Sequence, residues 1–488
     1  MPGPGVETPQ LALTPILPEI VLVSVGILIL LWDAVRPIRS APTLGLLAAA
    51  GIVGAAIPLI AQWGDPDAHG LTVLGDMVAS DGYALFFRAV ILASALIAVL
   101  LSTPYVARSG EVRGEYHALL LFCTSGMTLL AAAADLIVVF LALEVLSLSL
   151  YVMVGFVRAR LESQEASLKY FLLGAFSSAF FLYGIALAYG ATGTTSLAGI
   201  ADELAGARDL ALPLAAAGLL AVGFAFKVAA VPFHMWTPDV YQGAPTPVTG
   251  FMAAGTKVAG FAALIRVTSI ALGPLSWEIL PALYVLAALT MVIGSLLAIA
   301  QDDVKRLLAY SSIAHAGFVL VGVAAANQEG IAGAMFYLVA YVAMILGAFG
   351  VVLLVSRFTE ERTSLRSYRG LGRRNPLAAA LLALFLLSLA GLPPTAGFMA
   401  KWVVFLAAVD AGLTSLVVIA VLASVVAAFF YIRVIWLMYM EDVEEAERVP
   451  ASPGPAWGLA AAAAVTVILG VVPSLLLDPL RSVAVLRW

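Results

Sequence analysis

Residues 224–247 read FAFKVAAVPFHMWTPDVYQGAPTP: an apolar helix with a lysine inside it, cut short at a proline. Residues 387–405, LSLAGLPPTAGFMAKWVVF, show the same kind of interruption in the other half of the chain, with a lysine just beyond it. Proline removes a backbone donor and clashes with the preceding turn, so Pro232 and the Pro393–Pro394 pair should break their helices. Backbone freed at membrane depth is tolerated only where it is buried in protein or lines a wet cavity. Two broken helices in separate halves are also the sequence sign of an inverted-repeat transporter. A pair of ordinary proline kinks in a helix bundle is the plainer reading.

The rest of the chain agrees with a membrane setting. Of 488 residues, 62% are hydrophobic and only 11% charged, whereas a soluble domain keeps roughly a quarter of its residues charged. Apolar runs broken by polar or Gly/Pro clusters predict spans near 16–35, 42–62, 83–104, 114–132, 135–157, 165–190 and 211–231. They continue near 245–271, 278–299, 304–324, 329–356, 376–408, 413–440 and 456–474, about 14 transmembrane helices in an all-α polytopic fold. With both ends outside, 17 of the 25 Lys+Arg fall on inside segments and five (Arg88, Arg208, Arg266, Arg481, Arg487) outside. That asymmetry obeys the positive-inside rule and supports an even number of crossings. The N-terminus lacks the basic region of a signal peptide, so the first span is expected to be retained.

The chain has only five lysines, and Lys227, Lys257 and Lys401 lie within apolar spans, as does Glu144 in LALEVLSLSLY. A charged side chain at the bilayer centre costs about 2.5–3.5 kcal/mol on insertion scales, so such residues mark ion or proton paths. Snorkelling to the interface is the competing reading, strongest for Lys227, close to Pro232. Burial disfavours an ammonium and a nearby carboxylate favours it. A Glu144–Lys227 pair would hold the lysine charged, and separation would release a proton toward Lys257. A static ion pair fixing helix packing is the alternative. His315, in KRLLAYSSIAHAGF, could bridge lysine sites because histidine titrates near neutrality, or could simply pack. His234 and Asp239 read as turn and interface residues after Pro232.

Absences narrow the chemistry further. Cys123 alone allows neither an intrachain disulfide nor a cysteine-ligated cluster. The histidines have no metal spacing, no nucleotide loop follows a strand, and no basic stripe suggests nucleic acid. The chain is expected to bind no cofactor of its own.

Five stretches resemble a known family: LEVLSLSLYVMVGF (143–156), EASLKYFLLGAFSSAFFLYGIALAYGATG (165–193), KVAAVPFHMWTPDVYQGAPTPV (227–248), DDVKRLLAYSSIAHAGF (302–318) and GLPPTAGFMAKW (391–402). They are similar to the antiporter-like membrane subunits of respiratory complex I. The resemblance implies fourteen helices with two inverted five-helix repeats, at 114–271 and 272–440, each with a proline-broken helix. Residues 1–113 would form three preceding helices, and 441–488 the last. By position, Glu144 matches the family's fifth-helix glutamate, Lys227 the lysine of the broken seventh helix, and Lys257 the central lysine of the eighth. Lys401 matches the twelfth-helix position, where one branch has lysine and another usually glutamate. The implied activity is proton translocation through Glu144, Lys227, Lys257, His315 and Lys401 in the bacterial plasma membrane. The implied partners are the lipid bilayer and other membrane-arm subunits, with NADH, FMN, iron–sulfur clusters and quinone held by partner subunits. A multi-subunit Na+/H+ antiporter and a purely structural membrane subunit are the rival expectations.

Overall fold

The computed structural model describes residues 13–64, 71–73, 77–110, 112–356, 363–441 and 453–484. Among them, eleven helices are long and apolar enough to cross a membrane, or up to twelve if the sharply bent pair around Val472–Pro473 is one span. The expected runs at 114–132 and 376–408 fall outside that number. Gly114–Ala132 begins with Glu115 and His117, and the second run is split into Pro376–Ala390 and Ala396–Asp410, each 15 residues long. Four arginines of the inside/outside tally, Arg357, Arg362, Arg448 and Arg487, lie outside the described residues, as does the extreme N-terminus.

Burial sorts the helices into a centre and a rim. The most apolar window of Thr246–Ala271 is 100% buried, that of Val304–Ala324 94% and that of Gln328–Val355 89%. Rim helices such as Leu161–Thr192 and Thr414–Met440 are only 33% buried and expose leucine, valine and phenylalanine side chains. A lipid-facing surface has no reason to hide apolar groups, so the rim stays greasy and the polar groups collect on the central helices.

One element departs from the all-α expectation. Leu71–Val73 and Val78–Ser80 form an antiparallel hairpin with Leu71 opposite Ser80. Hydropathy registers spans and is blind to such a short paired segment.

The two broken helices are built alike. Ala211–Val228 ends at Ala229 in the left-handed conformation (φ 62°), and Pro232 follows three residues later. Pro376–Ala390 ends at Gly391 (φ 87°), and Pro394 follows at the same spacing. A second feature also occurs twice. Asp135 caps Leu136–Val154 and bridges Ser196, while Asp303 caps Val304–Ala324 and bridges Ser364. Each bridge is closed by two backbone bonds: Leu136 N to Thr195 O and Leu197 N to Ala134 O (both 2.9 Å), then Val304 N to Thr363 O and Leu365 N to Asp302 O (both 2.8 Å). In both halves the bridged segment reads Thr-Ser-Leu, and the two bridges lie equally far apart along the chain.

Candidate proton-transfer site

Glu144 and Ser147 lie one turn apart on Leu136–Val154, so both face the same way. Ser178 donates to Glu144 Oε1 at 2.5 Å, and Lys227 Nζ donates to Ser147 Oγ at 2.8 Å. Glu144 and Lys227 therefore have separate hydroxyl partners and form no ion pair, but they line one small cavity of about 20 Å3. That volume admits about one water molecule, and a water there would have the polar partners it needs. Glu144 is half-buried, whereas Lys227 is 6% exposed. The lysine is covered on one side by the Tyr170 ring, 5.9 Å from Nζ. Its stem crosses Gly260, where an added Cβ would lie 3.3 Å from Lys227 Cγ. Gly260 is one turn beyond Lys257, which brings the first two lysines onto one helix contact.

Lys257 follows a π turn, Met252–Thr256, in the middle of its helix. Such turns shift the side-chain register and frequently mark functional positions. Its ammonium donates to the Ser312 carbonyl at 2.5 Å and to Ser312 Oγ at 2.7 Å. Tyr341 donates to the same Ser312 Oγ at 2.7 Å, and the Tyr341 ring lies 5.5 Å from the amine. The neighbouring Ser311 bonds Tyr431, whose hydroxyl reaches His315 Nε2 at 3.3 Å. His315 Nδ1 meets Tyr337 at 2.7 Å. Every hydroxyl here can both donate and accept, which a proton-passing chain requires.

Lys401 closes the series. Its amine donates to Ser424 Oγ at 2.6 Å and to the carbonyls of Ala390 at 2.8 Å and Leu389 at 3.3 Å. Those carbonyls are the freed C-terminal end of the broken helix, where the helix dipole presents negative charge. The break thus makes the lysine's site. The Phe318 ring lies 4.7 Å from Nζ and packs edge-on to His315 at 5.8 Å, between the two.

All five residues singled out in the sequence therefore lie within the protein, and the groups around Lys257 and His315 take hydroxyls from the consecutive residues Ser312 and Ser311 of one helix, while no hydrogen bond runs between the two groups among the described residues. Three further cations are buried. Lys305, assigned to a loop by its place in the sequence, is 0% exposed and donates to the Ala244 carbonyl at 2.6 Å. Arg88 and Arg266, assigned to outer segments, are likewise fully buried: Arg88 meets Glu19 at 3.2 Å, and Arg266 pairs with Asp81. Asp239, beyond the first break, joins Lys169 at 2.8 Å to Arg306 at 2.6 Å. Burial pushes its carboxyl up, but hydrogen bonds from Lys169 and Arg306 outweigh that and hold it below the usual carboxylate value. It is a clamp, as a turn and interface residue should be. Among the described residues no group of three His, Cys, Asp or Glu could hold a metal ion.

Gly391 tests the break directly. Its φ of 87° disfavours any side chain, and an added Cβ would lie 3.0 Å from Lys401 Cδ and 3.1 Å from Nζ. Gly391→Ala should cost about 1–2 kcal/mol for the left-handed backbone and more for the displaced amine. Gly412, with φ 79° and nothing within 4 Å of the same Cβ, is the control. Thermal unfolding in detergent should show Gly391→Ala clearly more destabilised than Gly412→Ala. Equal losses would mean that the contact with Lys401 is immaterial.

Residues 133–427 match the family described as "NADH:quinone oxidoreductase/Mrp antiporter, TM". The chain is 45% identical over 467 residues to NADH-quinone oxidoreductase subunit N of Trichlorobacter lovleyi, covering 95% of each chain. Its structure resembles a chain of respiratory complex I from Thermus thermophilus with bound aureothin, at 37% identity and a TM-score of 0.80, covering 95% of this chain and 99% of that one. It also resembles a chain of the Mrp complex from Dietzia at 23% identity and a TM-score of 0.81, covering 97% and 96%, a likeness of fold alone. The chain thus belongs to the NADH:quinone oxidoreductase/Mrp antiporter transmembrane family, and within it to the relatives named subunit N.

Proposed function

We propose that this chain is a proton-translocating membrane-arm subunit of a respiratory NADH-quinone oxidoreductase, set in a bacterial inner membrane and driven by quinone reduction in partner subunits. NADH, FMN, iron–sulfur clusters and quinone belong to those partners, and this chain contributes no redox step. The observation that carries the reading is the series of buried amines, Lys227, Lys257 and Lys401, each held by a serine hydroxyl. Such charges are costly in a membrane protein, and a static scaffold gains nothing from three of them. Lysine, unlike arginine, exchanges its proton readily enough to serve in a relay.

In this reading, Glu144 acts across the shared cavity. When its carboxylate approaches Lys227, Coulomb attraction stabilises the ammonium; when it withdraws, the proton passes toward Lys257. From there Ser312, Ser311, Tyr431 and His315 lead toward Lys401. The fold is two inverted repeats, 114–271 and 272–440, after three helices in 1–113 and before a last helix in 441–488, with fourteen crossings. The paired helix breaks and the paired Thr-Ser-Leu bridges support that division. Glu144→Gln and Lys227→Ala variants that assemble should lose most coupled proton uptake in NADH-energised vesicles. Pumping at the wild-type proton-to-electron ratio in either variant would sink the relay assignment. Copurification without NADH-oxidising subunits would favour an antiporter assembly instead.

A further inference from the structure

We propose that Arg266 is a positioning residue for the relay assigned above: its pair with Asp81 sets the rotation of the helical segment Lys257–Arg266 and so holds the Lys257 amine on Ser312. The role presupposes proton transfer through Lys257. Lys257 opens this ten-residue α segment and Arg266 closes it. A π turn lies on each side, Met252–Thr256 before it and Val267–Ala271 after it. A π turn bonds residue i to i+5, one further than an α turn, so the side-chain register slips at both ends. The rotation of the segment is therefore not carried in from either neighbouring stretch of helix. Its own contacts must set it.

Those contacts are unequal. Between the two charged residues the segment reads VAGFAALI, and its alanines and glycine give a neighbouring helix little to interlock with. The firm hold is at the far end. Arg266 is fully buried and meets both Asp81 oxygens, Nη1 to Oδ2 at 2.7 Å and Nη2 to Oδ1 at 2.8 Å. Two parallel bonds fix a direction as well as a distance. Ala262, one turn earlier on the same face, accepts from the Tyr83 hydroxyl at 2.9 Å, and the Tyr83 ring lies 4.8 Å from the guanidinium. Asp81 is the N-cap of Gly82–Ser109 and Tyr83 lies in its first turn, so one helix start makes the whole grip. Nearby Arg88 has its own carboxylate, Glu19 at 3.2 Å.

The two ends of the segment are linked by geometry. Lys257 and Arg266 are nine residues apart, about two and a half turns, and so project from opposite sides. A rotation that slackens one moves the other. On a helix about 10–12 Å across with its side chains, a turn of about 30° shifts a side-chain end by about 3 Å. That would break the bonds of 2.5 and 2.7 Å from Lys257 Nζ to Ser312.

The test uses the purified membrane assembly carrying Asp81→Asn/Arg266→Met, which removes both charges together and leaves Arg88 with Glu19. Proton uptake per NADH oxidised is measured in vesicles and normalised to assembled complex, and cryo-electron microscopy gives the distance from Lys257 Nζ to Ser312 Oγ. That distance should open beyond about 3.5 Å, out of hydrogen-bond range. Uptake should fall at least about threefold, since about 1 Å of misplacement can cost 10²-fold in a reacting step. A pair that only stabilises the fold would move neither value in the assembled complex. An unmoved amine or wild-type uptake in the assembled double variant overturns the positioning role. Tyr83→Phe, which removes only the hydroxyl bonded to Ala262, should give a smaller loss in the same direction. No loss there overturns the role if the double variant fails to assemble. Wild-type uptake in Lys257→Met overturns the relay and this role with it, which tells the two failures apart.

Discussion

Replacing Lys257 by methionine is expected to cut proton translocation driven by quinone reduction about tenfold or more, equivalent to ~1.4 kcal/mol or more on the transfer barrier. Methionine keeps the length and much of the volume of the stem, so the change removes the ammonium and little else. The partners left behind are not orphaned. Ser312 Oγ still accepts from Tyr341, and the Ser312 carbonyl belongs to a helix end-to-end buried in the bundle. The effect on folding should therefore be small, while the amine that stands between the Lys227 cavity and Ser312 in the proposed path disappears. Proton uptake per NADH oxidised, measured in vesicles alongside the amount of assembled complex, separates the two effects. A wild-type ratio with normal assembly would remove Lys257 from the path.

The largest effect on stability is expected from Asp81→Asn, which removes the charge from the carboxylate facing buried Arg266; a hydrogen bond to a charged group contributes about 1.5–3 kcal/mol. Arg266 is 0% exposed and meets Asp81 through two bonds, Nη1 to Oδ2 at 2.7 Å and Nη2 to Oδ1 at 2.8 Å. Its guanidinium also lies 4.8 Å from the Tyr83 ring centre, and Tyr83 donates to the Ala262 carbonyl at 2.9 Å. Asp81 in addition caps Gly82–Ser109, accepting from Ala84 N at 2.7 Å. Losing this one carboxylate removes two charge-assisted hydrogen bonds from Arg266 and weakens the corner where two helices meet. Burial pushes the Asp81 carboxyl up, but Arg266 outweighs it and holds the group below the usual carboxylate value. Its stabilisation is thus fully present at neutral pH and is lost as pH falls below ~3.9 through the lower folded-state value. Thermal unfolding in detergent reads the loss, and adding Arg266→Met should restore part of it. Asparagine caps a helix as well as aspartate does, so a double variant no better than Asp81→Asn would show that the loss does not come from the charge pairing with Arg266.

What could be read from the sequence follows from what is costly. Glu144, Lys227, Lys257 and Lys401 stand out because charge in an apolar run demands a reason, and the two helix breaks stand out because proline and glycine leave few conformations open. Ser147, Ser178, Ser424, Tyr337, Tyr341 and Tyr431 give no such signal. A hydroxyl in a membrane helix satisfies itself on its own backbone, as Thr124 does on the Leu120 carbonyl at 2.7 Å, so its presence needs no partner elsewhere. Lys305, Arg88 and Arg266 sit toward the ends of apolar runs, where a charge in the sequence looks like a loop or surface residue. They are buried because neighbouring helices cover those ends, which no single run of residues records. Whether Glu144 and Lys227 touch was equally beyond reach, since the answer depends on which hydroxyl each finds first.

Ser311 and Ser312 are consecutive residues serving two different groups, one Tyr431 and His315, the other Lys257. Successive positions on a helix point about 100° apart, so Val304–Ala324 stands between the groups like a spindle with two arms. Any twist of that spindle carries both arms at once. The two groups are mechanically geared: neither can be retuned while the other stays as it was.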